Sequence, residues 1–262
     1  MSKDVTPRVA LLITCLVDMF RPEIGFASIK LLELAGCQVE VPERQTCCGQ
    51  PAYNSGDRKT SQQLAKQMIN QFDGYEYVVG PSGSCIGMLH YYPELFKDDA
   101  IWLERAQALK ARAFEIGDFL VNVRNLRLDQ KVSAQVTYHD SCSGLRQLGI
   151  KTQPRALLAQ VDGVELTEMD EAETCCGFGG TFCVKYPEIS NRMVSNKSAN
   201  ISGSGANLLL GGDLGCLLNM SGKLSREGKP IEARHYVEIL AGMVDRPAIG
   251  LPSDNLAYEV RS

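Results

Sequence analysis

The chain has 262 residues, 44% of them hydrophobic and 22% charged, the balance of a globular protein with room for one large domain or two ordinary ones. Its net charge of −4 argues against a nucleic-acid partner or an anionic membrane surface, both of which call for a basic face. Ten cysteines in a chain that is neither short nor loop-dominated read as metal ligands or redox groups in a reducing, cytoplasmic setting, not as a disulfide framework.

In chain order, the first apolar run is Val9–Val17. It is too short to cross a bilayer. Asp18, Arg21 and Pro22 follow it, with no small-residue cleavage site. It reads as a buried strand, Val9–Cys15, and no membrane span is expected in the chain. A helix over Ile24–Ala35 ends at Gly36, a residue suited to a left-handed cap. A strand over Gln38–Val41 leads to Thr46-Cys47-Cys48-Gly49. In the helix expected over Asp57–Phe72, Leu64, Met68 and Phe72 share one face. A strand over Tyr75–Val79 leads to Pro81-Ser82-Gly83-Ser84-Cys85, and a helical pattern over Phe114–Leu120 closes the half.

The same order then recurs. The polar stretch Asp129–Ser133 marks the boundary, giving domains 1–130 and 131–262. A strand over Gln135–Tyr138 runs toward Cys142. A helix over Pro154–Val161 runs toward Gly163, the counterpart of Gly36. A strand over Val164–Leu166 precedes Thr174-Cys175-Cys176-Gly177. The helix Pro187–Ala199 opens on a proline, which suits a first turn. A strand over Asn207–Leu210 precedes Cys216, and a helix over His235–Leu240 ends the repeat. Alternating strands and helices imply parallel sheets covered by helices. The expected fold is α/β: two tandem, related, Rossmann-like domains with parallel sheets, produced by internal duplication.

Each half carries one set of cysteines. Cys15, Cys47, Cys48 and Cys85 form C-x(31)-C-C-x(36)-C, and Cys142, Cys175, Cys176 and Cys216 form C-x(32)-C-C-x(39)-C. One cysteine follows the first strand of each half, two the second and one the third. The carboxyl ends of parallel strands share one edge, so these residues converge there. Four thiolates at one point suit a [4Fe–4S] cluster or a zinc ion. Adjacent cysteines spread over three strand ends fit a cluster better than the close knuckle pairs of structural zinc, although zinc could occupy one half. Gly49, Gly83, Gly177, Gly179 and Gly180 crowd the cysteine loops, where glycine lets backbone approach an inorganic core and offer it N–H groups.

Other residues take weaker readings. Cys37 reads as a buried strand residue and Cys183 as a helix-start residue, neither a ligand. His139, three before Cys142, could donate to cluster sulfur, move a proton, or simply bond to backbone at a strand end. His90 reads as packing, and His235, aligned with Glu115, as structural. Lys30, Lys185, Arg192 and Lys197 could attract an anionic substrate, but basic residues scattered on helices read first as a solvated face. Gly177-Phe178-Gly179-Gly180 follows cysteines instead of an apolar strand, so it is not a dinucleotide loop.

The duplicated Cys-Cys-Gly pattern resembles the cysteine-rich domain of heterodisulfide reductase and of the iron–sulfur subunits of glycolate oxidase and anaerobic glycerol-3-phosphate dehydrogenase. The segments Pro81–Cys85 and Cys175–Phe182, in a free-standing chain of this size, resemble the members that serve lactate utilisation. The resemblance covers nearly the whole chain. It implies a non-flavin, electron-carrying subunit of an L-lactate oxidoreductase, or of a system for another 2-hydroxy acid such as glycolate. It also implies two partners, a ferredoxin-like iron–sulfur subunit and a third small subunit; in the reductase subunit five cysteines hold a non-cubane cluster. The pattern departs from the family's closing C-x-x-C, where Ser82 and Asp213 stand. Four thiolates per half remain, which favours an ordinary cubane. Asp213 could ligate through oxygen or cap the following turn.

Overall fold

The computed structural model describes residues 6–251. It contains two four-stranded sheets, all parallel. In the first half the strands are β1 (Arg8–Leu11), β2 (Gln38–Glu40), β3 (Tyr77–Gly80) and β4 (Ala113–Glu115), in the order β2-β1-β3-β4. In the second they are β5 (Gln130–His139), β6 (Val161–Leu166), β7 (Leu208–Gly211) and β8 (Glu232–His235), in the order β6-β5-β7-β8. The two orders are the same, as duplication requires. In such a sheet the chain reverses its direction of travel between the first and third strands, and ligands bind outside the carboxyl ends at that switch point.

The central strands are buried on both faces, the mark of a helix-covered parallel sheet. Side chains alternate along β1. Ala10 and Leu12 pack with Met68, Phe72, Val78 and Tyr92 inside the first half. Val9 and Leu11 belong to a larger core that continues into the second half through Leu209, Tyr236 and Leu240. The period-2 alternation of a strand thus divides one element between its own domain and the interface.

Several expected bounds need correction. The six expected strands are eight: β4 runs into the expected helix Phe114–Leu120, and β8 ends at His235, where the expected helix His235–Leu240 begins. Cys15 does not end a strand but starts the helix Cys15–Phe20, capped by Thr14 Oγ1, which accepts from the Val17 N–H. The stretch Asp129–Ser133 is largely strand, since β5 begins at Gln130. Val161 lies in β6 and not at the end of a helix. Gly163 also lies inside β6, beside a break in register between Lys131 and Ala134. Its φ is +85°, and a Cβ there would lie 3.1 Å from the Val132 carbonyl oxygen, so it serves a bulge where Gly36 serves a helix end.

Polar groups lock the halves together. Arg21 donates to Glu238 Oε1 from Nη2 at 2.6 Å and from Nε at 3.1 Å. Tyr236 donates its hydroxyl to Glu115 Oε1 at 2.7 Å. His235 caps the helix Tyr236–Leu240 with Nδ1, which leaves Nε2–H to donate to the Pro81 carbonyl at 3.1 Å. Glu115 caps the matching turn of the first half by accepting from Gly117 and Asp118 N–H, so the alignment of His235 with Glu115 reflects a shared capping role.

Burial raises the Glu115 carboxyl to about 7, although its three hydrogen bonds pull the other way. A carboxyl raised in the folded state binds more protons folded than unfolded, so stability falls as pH rises from the ordinary value of 4.5 toward 7. Across that window the Glu115 share is about 3 kcal/mol, at roughly 1.4 kcal/mol per unit. Glu238 and Asp213, also raised by burial, add to the slope in the same direction. Glu115→Gln should therefore flatten, but not abolish, the fall in denaturation midpoint between pH 5 and 7. An unchanged slope would show that Glu115 titrates normally.

Candidate metal centres

Local structure explains why the cysteines meet. Cys15 and Cys142 are each the first residue of a helix, after the capping residues Thr14 and Ser141. Cys85 and Cys216 sit in the first turn of the 13-residue helices Gly83–Leu95 and Leu214–Arg226. Cys47-Cys48 and Cys175-Cys176 each run into a glycine with positive φ, +87° at Gly49 and +86° at Gly177. Ser61 and Ser190 donate to the carbonyls of these glycines, at 3.5 Å and 2.8 Å. At Gly177 a Cβ would lie 2.8 Å from the Ser190 carbonyl oxygen, so no side chain fits there. Tyr92 holds the Cys48 carbonyl at 2.8 Å, and Asn219 holds the Cys176 carbonyl at 2.9 Å. Both come from the helix that carries the fourth cysteine.

The thiols form two connected groups. Cys15 and Cys48 lie against Cys47 and lower its pKa. Cys142 and Cys176 do the same to Cys175. Cys48 is further linked to Cys85, and Cys176 to Cys216. Gly177 N–H donates to Cys175 Sγ at 3.4 Å and Phe178 N–H to Cys176 Sγ at 3.5 Å. Helix N-termini and backbone N–H groups favour negative sulfur. Each half thus gathers its four cysteines at the carboxyl ends of its sheet.

The first set opens on a cavity of about 250 Å³ whose walls come from both halves. Cys15, Cys47, Cys48 and Cys85 line one side, and Phe178, Thr181, Asp213 and Gly215 the other. Asp213 Oδ2 reaches across to accept from Ser84 N–H at 3.0 Å and from Ser82 Oγ at 3.4 Å. It makes no side-chain cap of its own helix. Its carboxylate therefore ties the halves together beside the first set. Ser82 caps the helix of Cys85, whose N–H donates to Ser82 Oγ at 3.3 Å.

Among the other candidates, Gly83 meets Gly144 of the second half, where a Cβ would fall 2.6 Å from Gly144 Cα, so its close approach is to backbone. Gly179 has φ +53° and faces Phe182. Gly180, with φ +65°, lines the first cavity. Cys37 is buried one residue before β2. Cys183 lies in the short helix Phe182–Lys185 and contacts the Gly180 carbonyl at 3.5 Å. His90 bonds to the Ala113 carbonyl at 2.8 Å.

The second set has two additions. His139 is buried, and neither ring nitrogen has a hydrogen-bond partner. Its ligating atoms lie within 4.8 Å of those of Cys176 and Cys216. A buried imidazole without partners is costly unless something else occupies its nitrogens. Lys197 corrects the expectation of a solvated face: it is only 1% exposed and donates from Nζ to the carbonyls of Glu171 and Ala172. Nothing in the helical pattern distinguished it from its exposed neighbours, because its partners lie in a loop some 25 residues away.

Four converging thiols, N–H groups aimed at sulfur, a cavity beside the first set and unpartnered imidazole nitrogens beside the second together suit a metal centre in each half. Fold and site define a tandem cysteine-rich-domain protein. The pattern of the family described as Cysteine-rich domain matches residues 9–90 and again 136–221. Lactate utilization protein A of Halalkalibacterium halodurans is 50% identical over 234 residues, covering 89% of this chain and 96% of that one. Its namesake in Bacillus licheniformis is 47% identical over 234 residues, with 89% and 98% covered. The chain belongs to the lactate utilization protein A family of tandem cysteine-rich-domain proteins. A crystal structure of a hypothetical protein from Helicobacter pylori shares the fold, with a TM-score of 0.57 at 12% identity, over 95% of this chain and 50% of that one. Among the described residues, no helix is long and apolar enough to cross a membrane.

Proposed function

We propose that this chain is an iron–sulfur electron-transfer subunit of a cytoplasmic L-lactate-oxidising system. It has two structural domains that meet just before β5, which begins at Gln130, each binding one [4Fe–4S] cluster. The observation that carries the reading is the repeated convergence of four cysteines on the carboxyl edge of a parallel sheet. The ligands are Cys15, Cys47, Cys48 and Cys85 in one half and Cys142, Cys175, Cys176 and Cys216 in the other. When bound, such clusters accept and release single electrons. The chain's own residues hold them, shield them and set their surroundings. Gly49 and Gly177 bring backbone close to sulfur, and His139 faces the second set as an N–H donor. Asp213 bridges the halves through Oδ2, which accepts from Ser84 and Ser82.

Support for lactate comes from the names of the relatives. Hydride removal from lactate is assigned to a partner. The partners are a ferredoxin-like iron–sulfur subunit and a third small subunit. Deleting the gene should abolish growth on L-lactate and spare growth on glucose. The intact gene should restore growth, and a copy carrying Cys48→Ala and Cys176→Ala should not. Restoration by the doubly substituted copy would defeat the electron-transfer reading, and loss of growth on glycolate in place of lactate would reassign the substrate.

A further inference from the structure

The two cysteine sets have different electrostatic surroundings. Matching residues can be read directly from the repeat. Ser61 and Ser190 make the same bond to Gly49 and Gly177. Seven residues further along the same helices stand Met68 in the first half and Lys197 in the second. Three residues before Cys15 stands Leu12, and three before Cys142 stands His139. All four are buried. The first set is therefore backed by Met68 and Leu12, where the second has an ammonium and an imidazole.

The neighbouring charges leave the cation in effect. Asp140 is held by Arg155 through two bonds, at 2.8 and 2.9 Å, so that pair is nearly neutral. Glu171 gives Lys197 its carbonyl, while its exposed carboxylate turns to Asn200 at 3.3 Å. Asp213 opposes Lys197 at the second set, where its carboxylate raises the Cys142 and Cys216 thiols, but it also lines the first cavity and is bonded to Ser84 and Ser82 of the first half, so its charge is shared by both sets. The Lys197 ammonium sits among backbone carbonyls with no carboxylate bonded to it.

Reduction adds negative charge to a cluster. A nearby buried cation stabilises that added charge more in a low-dielectric interior than it would in water. A donor N–H directed at sulfur acts in the same sense. We propose that Lys197, with His139, poises the second cysteine set at the higher potential of the two, so that electrons cross the chain from the first half to the second. The inference rests on the iron–sulfur reading above. In the step, the first-half centre loses one electron and is oxidised, and the second-half centre gains it and is reduced. No bond is made or broken. The first set, open to its cavity, is the entry side, and the second, behind Lys197 and His139, is the acceptor side.

The test is an EPR-monitored redox titration of the full chain, purified anaerobically. The wild type should give two reduced signals at separate potentials. Lys197→Met, which installs the residue of the first half, should lower the higher potential by at least tenfold in electron partition, about 59 mV for one electron. It should leave the lower potential in place, and Lys197→Arg should stay close to wild type. A shift in the lower signal, or in neither, would overturn the proposal. Cys48→Ala gives a test that does not depend on how well the Lys197 variants fold. With only the second set intact, the surviving signal should be the one of higher potential, and survival of the lower one would reverse the direction. Absence of iron and of both signals in the wild type would instead defeat the cluster reading itself, a result plainly different from two clusters whose potentials ignore Lys197.

Discussion

Cys48→Ala is expected to leave the chain with about four iron atoms in place of about eight, together with one of its two reduced-cluster signals. Cys48 is buried and lies between Cys47 and Cys85 in the network of thiols. Its carbonyl is held by Tyr92, so the backbone keeps its course when the sulfur is removed. The loss is confined to the first half because the second set stands on a different sheet, with its own glycine turn at Gly177 and its own anchor in Asn219. Cys176→Ala should produce the complementary loss and remove the other signal. Iron analysis with EPR checks both. Unchanged iron in either variant would remove that cysteine from the ligand set, and complete loss in both would mean that the two sites are assembled as one.

Arg21→Leu is expected to destabilise the protein by about 3–5 kcal/mol, the usual consequence of stripping the partner from a buried charge. The Glu238 side chain is fully buried and that of Arg21 is 10% exposed. Arg21 also donates to the Pro247 carbonyl at 2.6 Å, so one side chain fastens the first half to two segments of the second. Arg234 also acts on Glu238, and softens the loss without replacing the contact. Burial raises the Glu238 carboxyl while Arg21 draws it down, so removing Arg21 raises it further. The variant should therefore regain stability as the pH falls and the carboxyl is protonated. Adding Glu238→Leu should recover part of the loss, because no carboxylate is left stripped of Arg21, while the His235 N–H loses its acceptor and Arg234 a counter-charge. Denaturant midpoints of the single and double variants decide this. A double variant less stable than Arg21→Leu alone would contradict it.

The duplication was legible because it is written in residue types that physics restricts. A glycine at positive φ after two cysteines, in Gly49 and Gly177, has few substitutes, so the motif stands out in both halves. The apolar runs of β1, β3, β5 and β7 were visible because central parallel strands are buried on both faces. The edge strands β4 and β8 were not visible. Each has only three or four residues and merges into a helix whose periodicity dominates the window. The bulge at Gly163 mimicked a helix cap, because positive φ serves both purposes. At the site, the cysteine sets followed from topology alone. The roles of Asp213 and Lys197 did not. Asp213 bonds to Ser84, 129 positions away, and Lys197 to carbonyls in a loop, so no local pattern encodes either contact. They became readable only when the two halves were compared in space.

The most direct test of the account is the content of iron and acid-labile sulfide in anaerobically purified protein, together with the EPR spectrum of the reduced sample. The account predicts about eight irons and about eight sulfides per chain, with two reduced-cluster signals. Stoichiometric zinc without sulfide, and no signal on reduction, would contradict it and leave a chain whose paired cysteine sets hold structure alone.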